Sequence, residues 1–439
     1  MEWSKYNTLF KSEKFGNLLY NSETNTFAEL SDELFLQLDN IRQEKDNISS
    51  LNNNVKETLV RAKILDKNNN YLSYYKRFQY LLQNFSSDTL NLTIAPTTFC
   101  NFSCPYCYEE NRIPVFMDEK IEEDLITFIK KNERTNKLSI TWYGGEPLVG
   151  FNSIKRLMRR IEDEKIEIVS HGMITNGYLL DYRKSKFFTH HKLDFIQITL
   201  DGIQEVHDKR RILTGGGATF DKIISNIKIF QELNPSTSIN IRVNLDKNNT
   251  DDYEKLYKYI KSIFPSPQIN LVPAFVQSYT ESCNKCDILN NKDKSLFYIN
   301  LHKKGNVKIY SYPRLMASGC TATNINAYVV GPQGELYKCW NDVGAEEKII
   351  GYINNDTIPN PEVLLEYMAG PSMFDDSECK DCNVSPICSG GCQWQRLANL
   401  KEKDRYDLCS IGKNHLIEFL EMHYENKKNG IFNSVSEEK

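Results

Sequence analysis

Three cysteines stand together in the run Cys100-Asn101-Phe102-Ser103-Cys104-Pro105-Tyr106-Cys107-Tyr108. The spacing is CxxxCxxC, with an aromatic residue before the last thiol. Three thiolates hold three irons of a [4Fe–4S] cube and leave the fourth open, whereas clusters that only carry electrons normally use four cysteines. An open iron points to chemistry at the metal itself.

The remaining thiols are also grouped. The chain has 439 residues and twelve cysteines: the three above, Cys283 and Cys286, and seven from Cys320 to Cys409. In a reducing compartment, grouped thiols predict metal rather than disulfides. A small buried apolar role is kept for one or two of them. Several bulk properties exclude other classes. A net charge of −4 gives no electrostatic case for nucleic acid or an anionic membrane. No apolar run approaches the roughly 20 residues of a membrane span. Met1-Glu2-Trp3-Ser4-Lys5 lacks a signal-peptide core, so a cytoplasmic location is expected.

These thiols need elements to position them. Residues 1–88 contain no cysteine. Strands are expected at Gly16 to Tyr20 and Thr26 to Leu30, joined by a turn, followed by helices from Ser31 and from Val55. This predicts a winged-helix-like module. From Leu90, strand-like and helix-like segments alternate about six times. Strands are expected near residues 92–95, 138–143, 166–175, 195–200, 239–245 and 269–272, with helices between them. Six such units predict an α/β fold: a parallel sheet forming a partial (β/α)6 barrel, with functional loops at the C-terminal strand ends. After about Cys283 the repeat stops. A loop-rich unit built around metal is expected there, with extended helices scarce until Ser410 to Glu425. The expected divisions are 1–88, 89–282 and 283–426, with a frayed tail over 427–439.

The Cys loop after the first barrel strand, Gly144-Gly145-Glu146-Pro147 after the second and Thr199-Leu200-Asp201-Gly202 after the fourth together resemble the radical S-adenosylmethionine superfamily, over about residues 90–275. The resemblance implies that the open iron chelates the methionine part of S-adenosylmethionine. One electron then cleaves the sulfonium to a 5′-deoxyadenosyl radical, which takes hydrogen from an unactivated carbon. The cofactors carry the difficult chemistry, while the protein orients them. The resemblance places Tyr106 beside adenine, Gly144, Gly145 and Glu146 along the methionine amino group, and Asn176 and Thr199 at strand ends facing the ligand. Arg211 takes the arginine position of an HDxxR-like run, His207-Asp208-Lys209-Arg210-Arg211, with a carboxylate as its partner. Taken as bare residues, Glu146 and Arg211 also fit an ordinary surface or interstrand pair. No residue is assigned as catalytic acid or base.

The late cysteines run Cys320, thirteen residues to Gly334, Cys339, then Cys379-x2-Cys382-x5-Cys388-x3-Cys392 and finally Cys409. This resembles the SPASM extension of that superfamily. It implies that Cys379, Cys382, Cys388 and Cys409 hold one auxiliary [4Fe–4S] cluster and that Cys320, Cys339 and Cys392 hold another. The implied cofactors are S-adenosyl-L-methionine and three [4Fe–4S] clusters. Two features depart from the sulfatase-maturating branch. Asn324 and Asn326 stand where those relatives supply a further cysteine, and Ser311-Tyr312-Pro313-Arg314 lacks their aspartate. A three-thiolate auxiliary cluster leaves an iron to which a substrate cysteine could bind.

The expected activity is therefore peptide maturation by an intramolecular cross-link, a thioether first and a carbon–carbon bond next. Epimerisation, or modification of the sulfatase-maturase type, stands as the alternative. A zinc-binding interaction protein is the alternative of another class. Cys283 and Cys286 fit a ligand for the open iron, a zinc site with other residues, or exposed thiols. The expected partners are a ribosomally made precursor peptide with a leader and a low-potential donor, flavodoxin or ferredoxin. The N-terminal module would bind the peptide by strand addition or would simply cap the barrel.

Overall fold

Strand segments alternating with helices that each carry one apolar stripe have one economical solution: the strands pair side by side and the helices cover them. The protein is described by a computed structural model covering residues 1–66, 71–86, 88–109, 112–132, 137–278, 287–305, 307, 320–402 and 405–430. Cys283, Cys286, the 311–314 segment and residues 431–439 of the tail lie outside the described residues.

In chain order the first elements are β1 (Glu2–Trp3), β2 (Asn7–Ser12), β3 (Gly16–Asn21), β4 (Thr26–Leu30), α1 (Asp32–Arg42), α2 (Asn53–Arg61), β5 (Leu65–Asp66) and α3 (Tyr71–Phe85). Strands β2, β3 and β4 form an antiparallel sheet in that order, and β1 pairs with β5. The Ser31 side chain caps α1 by accepting the Leu34 N–H. Leu9 and Leu19 of the sheet pack with Leu38, Ile41 and Leu59 of the two helices. The expected strands and helices are present. Strand β2 and helix α3 are additional.

The barrel follows: β6 (Thr89–Ile94), α4 (Glu119–Lys131), β7 (Lys137–Trp142), α5 (Phe151–Asp163), β8 (Glu167–Thr175), α6 (Tyr182–His190), β9 (Phe195–Thr199), α7 (Gln204–Arg210), α8 (Phe220–Leu233), β10 (Ser238–Leu245), α9 (Asp252–Ile263) and β11 (Ile269–Phe275). All six strands are parallel. Beyond α10 (Asn291–Lys303), β12 (Ala327–Val330) adds to β6 in parallel. Strands β13 (Glu335–Tyr337) and β14 (Gly351–Tyr352) extend the sheet antiparallel. The order β11-β10-β9-β8-β7-β6-β12-β13-β14 leaves the sheet open, as a partial barrel requires. Helices α11 (Pro361–Ala369), α12 (Ser377–Lys380), α13 (Gln393–Lys401) and α14 (Leu416–Lys428) complete the chain.

One expectation is corrected here. Helices are not scarce between residues 283 and 410, because α10, α11 and α13 all fall there. Polar Asn291, Lys294 and Ser295 of α10 are buried beside Phe297 and Leu301, so no clean apolar stripe marks this helix in the sequence. The chain forms two compact units, each discontinuous in sequence. One comprises Met1–Asn84, Asn291–Gly319 and Ala369–Lys439; the other comprises Phe85–Asn290 and Cys320–Met368.

Candidate active site

The Cys loop leaves the C-terminal end of β6, where loops of a parallel sheet converge. Within it, the Cys107 N–H donates to the Cys104 carbonyl at 3.1 Å, and the Phe102 N–H donates to Cys100 Sγ at 3.4 Å. The turn after β7 holds this loop from below. The Gly145 N–H donates to the Thr97 carbonyl at 3.2 Å and the Glu146 N–H to the Phe99 carbonyl at 2.9 Å. A Cβ on Gly144 would lie 2.3 Å from the Thr97 oxygen, and one on Gly145 would lie 2.4 Å from that of Thr98. The two glycines thus permit the turn and the Cys loop to touch backbone to backbone.

Cys100, Cys104, Cys107, Tyr106, Gly144, Gly145, Glu146, Asn176, Thr199 and Arg211 all line one cavity of about 330 Å³. That size is within the roughly 300–1,000 Å³ of small-molecule sites. Neither Glu146 nor Arg211 is a surface residue: they are 1% and 9% exposed. Glu146 accepts from Thr175 Oγ1 at 2.7 Å and the Leu148 N–H at 3.0 Å through Oε1, and from the Asn176 N–H at 2.7 Å through Oε2. Three acceptor positions are filled, and one on Oε2 remains. Burial raises its pKa, opposed by these donors and by the Arg211 charge.

Arg211 Nη1 donates to the Tyr106 hydroxyl at 3.0 Å. That hydroxyl donates in turn to Asp201 Oδ2 and accepts from Asn244 Nδ2 at 3.3 Å. His207 Nδ1 accepts the Asp201 N–H at 3.2 Å, which leaves its Nε2–H to donate to Thr219 Oγ1 at 3.1 Å. Asp208 accepts the Thr219 and Phe220 N–H groups at the start of α8. The His-Asp part of the HDxxR-like run is therefore a brace behind Arg211. Asp201, marked in the sequence only as part of the Thr199–Gly202 run, and Asn244, which nothing in the sequence marks, both hold the Tyr106 hydroxyl. The signal for Asp201 was its place two residues past the end of β9. Arg242, Gln277, Trp340 and Asn341 also line the cavity; Trp340 and Asn341 are brought in by the β12–β14 extension.

The residues fit a [4Fe–4S] cluster and S-adenosylmethionine. Arg211 Nε is buried with no hydrogen-bond partner among the described residues. Burial pushes the Cys100 and Cys104 thiols up and that of Cys107 up to about 11; Glu146 adds to the effect at Cys100 and Glu109 at Cys107, while at Cys104 the Arg211 charge opposes it. Thiols in this setting ionise when a metal centre supplies the positive charge.

In the other unit Cys379, Cys382, Cys388 and Cys409 line a second cavity, of about 660 Å³. Three of these sulfurs already accept a donor: Arg396 Nη2 to Cys379 at 3.8 Å, the Gly390 N–H to Cys388 at 3.3 Å and Lys413 Nζ to Cys409 at 3.5 Å. Among the described residues, no three cysteine sulfurs lie within 4.8 Å of one another. Cys320 and Cys339 lie in the barrel unit, whereas Cys392 belongs to the other. Between Cys320 and Cys339 the buried Lys338 Nζ donates to the Asn324 carbonyl and, at 2.7 Å, to that of Ala327.

An open parallel sheet with a three-thiol loop over its C-terminal edge defines a class, and residues 94–260 match the Radical SAM superfamily. The chain carries a radical SAM domain over these residues and is an enzyme. Enzymes of this family bind S-adenosylmethionine and a [4Fe–4S] cluster. The chain is 26% identical to a cysteine-type anaerobic sulfatase-maturating enzyme of Clostridium novyi (strain NT), over 71% of this chain and 90% of that one. It is 22% identical to the radical SAM cyclopropyl synthase TigE of Paramaledivibacter caminithermalis, over 89% of each. Streptococcus suis SuiB has the same fold. Solved with S-adenosylmethionine, it gives a TM-score of 0.54 at 20% identity, covering 94% of this chain and 100% of that one. Solved with its precursor peptide SuiA, it gives 0.52 at 19%, covering 94% and 99%. No helix among the described residues is long and apolar enough to cross a membrane.

Proposed function

We propose that the protein matures a ribosomally made precursor peptide by installing an intramolecular cross-link, a thioether in preference to a carbon–carbon bond. The observation that carries this reading is the 330 Å³ cavity, where three cysteines share walls with Glu146 and Arg211. When bound, the cluster and S-adenosylmethionine supply a 5′-deoxyadenosyl radical that takes hydrogen from a peptide carbon. Cys100, Cys104 and Cys107 hold the cluster. The remaining acceptor position of Glu146 receives the methionine ammonium, Arg211 Nε donates to its carboxylate, and Tyr106, anchored by Asp201, orders the nucleoside side. Gly144, Gly145, Asn176 and Thr199 complete the walls.

The division of labour follows residues 1–88 for peptide recognition, 89–282 for the radical step and 283–426 for two auxiliary clusters. Cys379, Cys382, Cys388 and Cys409 hold one of these, and Cys320, Cys339 and Cys392 the other. The outer strand β4 offers an edge to the leader peptide, since its residues are half-buried or exposed and among the described residues it pairs only with β3. SuiB, solved with its precursor peptide, supports a peptide as the partner. A flavodoxin or ferredoxin in the cytoplasm would supply electrons. A second reading, modification of the sulfatase-maturase type, is favoured by the Clostridium novyi relative. The carbon–carbon product gains support from the cyclopropyl synthase.

The test is anaerobic reconstitution with S-adenosylmethionine, reductant and a cysteine-containing precursor peptide, read by mass spectrometry. Loss of two hydrogens is expected. An unchanged mass with deuterium uptake from solvent would replace the cross-link with epimerisation. If S-adenosylmethionine is not cleaved, and Cys100→Ala protein behaves identically, the radical reading itself fails.

A further inference from the structure

Helix α3 is built inside out. Its buried residues are polar: Lys76 and Asn84 are buried, Lys76 Nζ donates to the Ser385 carbonyl, and half-exposed Arg77 pairs with Asp375 at 3.3 Å. Tyr80 meets Phe374 edge-on at 5.6 Å. Its apolar residues face outward. Tyr71, Tyr74, Tyr75, Phe78, Leu81, Leu82 and Phe85 are between 43% and 71% exposed. Their spacing, three and four residues apart, gathers them into a stripe covering about 120° of the helix and about 21 Å of its length. Such a face left in water calls for an occupant.

We propose that this stripe is an interface between two copies of the chain, formed by two α3 helices across a two-fold axis. The proposal is independent of the maturase reading. Area supports it: side chains of this size at about half exposure offer roughly 600–700 Å² per copy, or about 1,300 Å² for the pair, against the roughly 1,200–2,000 Å² of stable specific interfaces. Charge supports it as well. The stripe carries no charged residue, so two identical faces meet without repulsion, as an isologous contact requires. A helix that binds anionic membrane aims lysine and arginine at the headgroups. Here Lys76 points inward and Arg77 is paired with Asp375. A charged leader peptide would find no counter-charge on the stripe.

Sedimentation of the reconstituted holoenzyme, run anaerobically from low to high micromolar concentration, tests this. The expected result is a concentration-dependent dimer of twice the chain mass. In Tyr74→Glu/Phe78→Glu protein the dimer dissociation constant should rise more than tenfold, while iron content and S-adenosylmethionine cleavage stay at wild-type levels. If that variant fails to fold, the milder Tyr75→Ala/Leu82→Ala protein decides, with the same direction expected. A wild type that is monomeric throughout overturns the proposal, as do variants that dimerise like the wild type. A monomeric wild type whose stripe variants lose affinity for the precursor peptide would assign the stripe to the peptide instead.

Discussion

At Arg211 the site keeps a guanidinium nitrogen that no group among the described residues satisfies. Nη1 is spent on Tyr106, yet Nε is buried without a partner. A buried donor left so costs about 1–3 kcal/mol, which a ligand carboxylate would relieve. Arg211→Lys keeps the positive charge but loses the planar fork. It is expected to raise the Kd for S-adenosylmethionine roughly ten- to hundredfold, about 1.5–3 kcal/mol, with the iron content of the Cys loop unchanged. Calorimetric titration of the reconstituted protein measures this, and a change under about twofold would remove Arg211 from the ligand's contacts. Tyr106 is different in kind. Its hydroxyl is committed to Asp201, Arg211 and Asn244, and burial with the nearby Asp201 charge holds its pKa well above the ordinary value. It acts as a fixed post rather than as a proton donor.

Among the elements, strands β7 and β8 are locked by a buried side-chain pair. The Trp142 Nε1–H donates to His171 Nε2 at 2.7 Å, because an indole can only donate. His171 Nδ1 therefore carries the proton and donates to the Lys192 carbonyl at 3.0 Å. Burial pushes its pKa down to about 4, only partly opposed by the Lys192 carbonyl and Asp194. The folded chain thus keeps this imidazole neutral, while the unfolded chain protonates it near pH 6.5. Its contribution to stability is complete above pH 6.5. It is lost at about 1 kcal/mol per pH unit as pH falls from there towards 4. In His171→Gln protein the amide can make both bonds without titrating, so the urea midpoint should drop less between pH 6.5 and 5.5 than in the wild type. Equal drops would show that His171 does not set this slope.

Strand β8 and its neighbours were legible because each carries a run of β-branched or apolar residues bounded by turn signals. The Cys loop and the Gly144–Glu146 turn were legible from residue type and spacing alone. Strand β12 was not, because Ala327–Val330 is a short segment whose partner β6 lies more than 200 residues earlier in the chain. The stripe of α3 was written in the sequence at helical spacing, but nothing there showed that it faces outward. The bracing of Arg211 by Asp201 and His207 also depends on which strand ends become neighbours.

Across the whole molecule two of the three thiol sets divide as the units do. Cys100, Cys104 and Cys107 lie in the barrel unit, and Cys379, Cys382, Cys388 and Cys409 lie together in the other. The second set stands in a segment of short helices, α12 and α13, with turns between them. A segment with so little regular structure gains much of its order from a bound metal, because metal binding and local folding share one free energy. Arg396 and Lys413 beside the sulfurs would favour the more negative, reduced state of a cluster held there. Three intact clusters would give roughly twelve irons per chain. Cys388→Ala removes a thiol from the second set without touching the first, so iron should fall by about four. The spectroscopic signature of S-adenosylmethionine on the barrel cluster should persist, and the segment over 377–409 should become more open to proteolysis. Iron assay and electron paramagnetic resonance with and without S-adenosylmethionine measure the first two, and limited proteolysis the third. Full retention of iron would mean that the 660 Å³ cavity holds no cluster, and loss of all of it would mean that the two thiol sets do not fold independently.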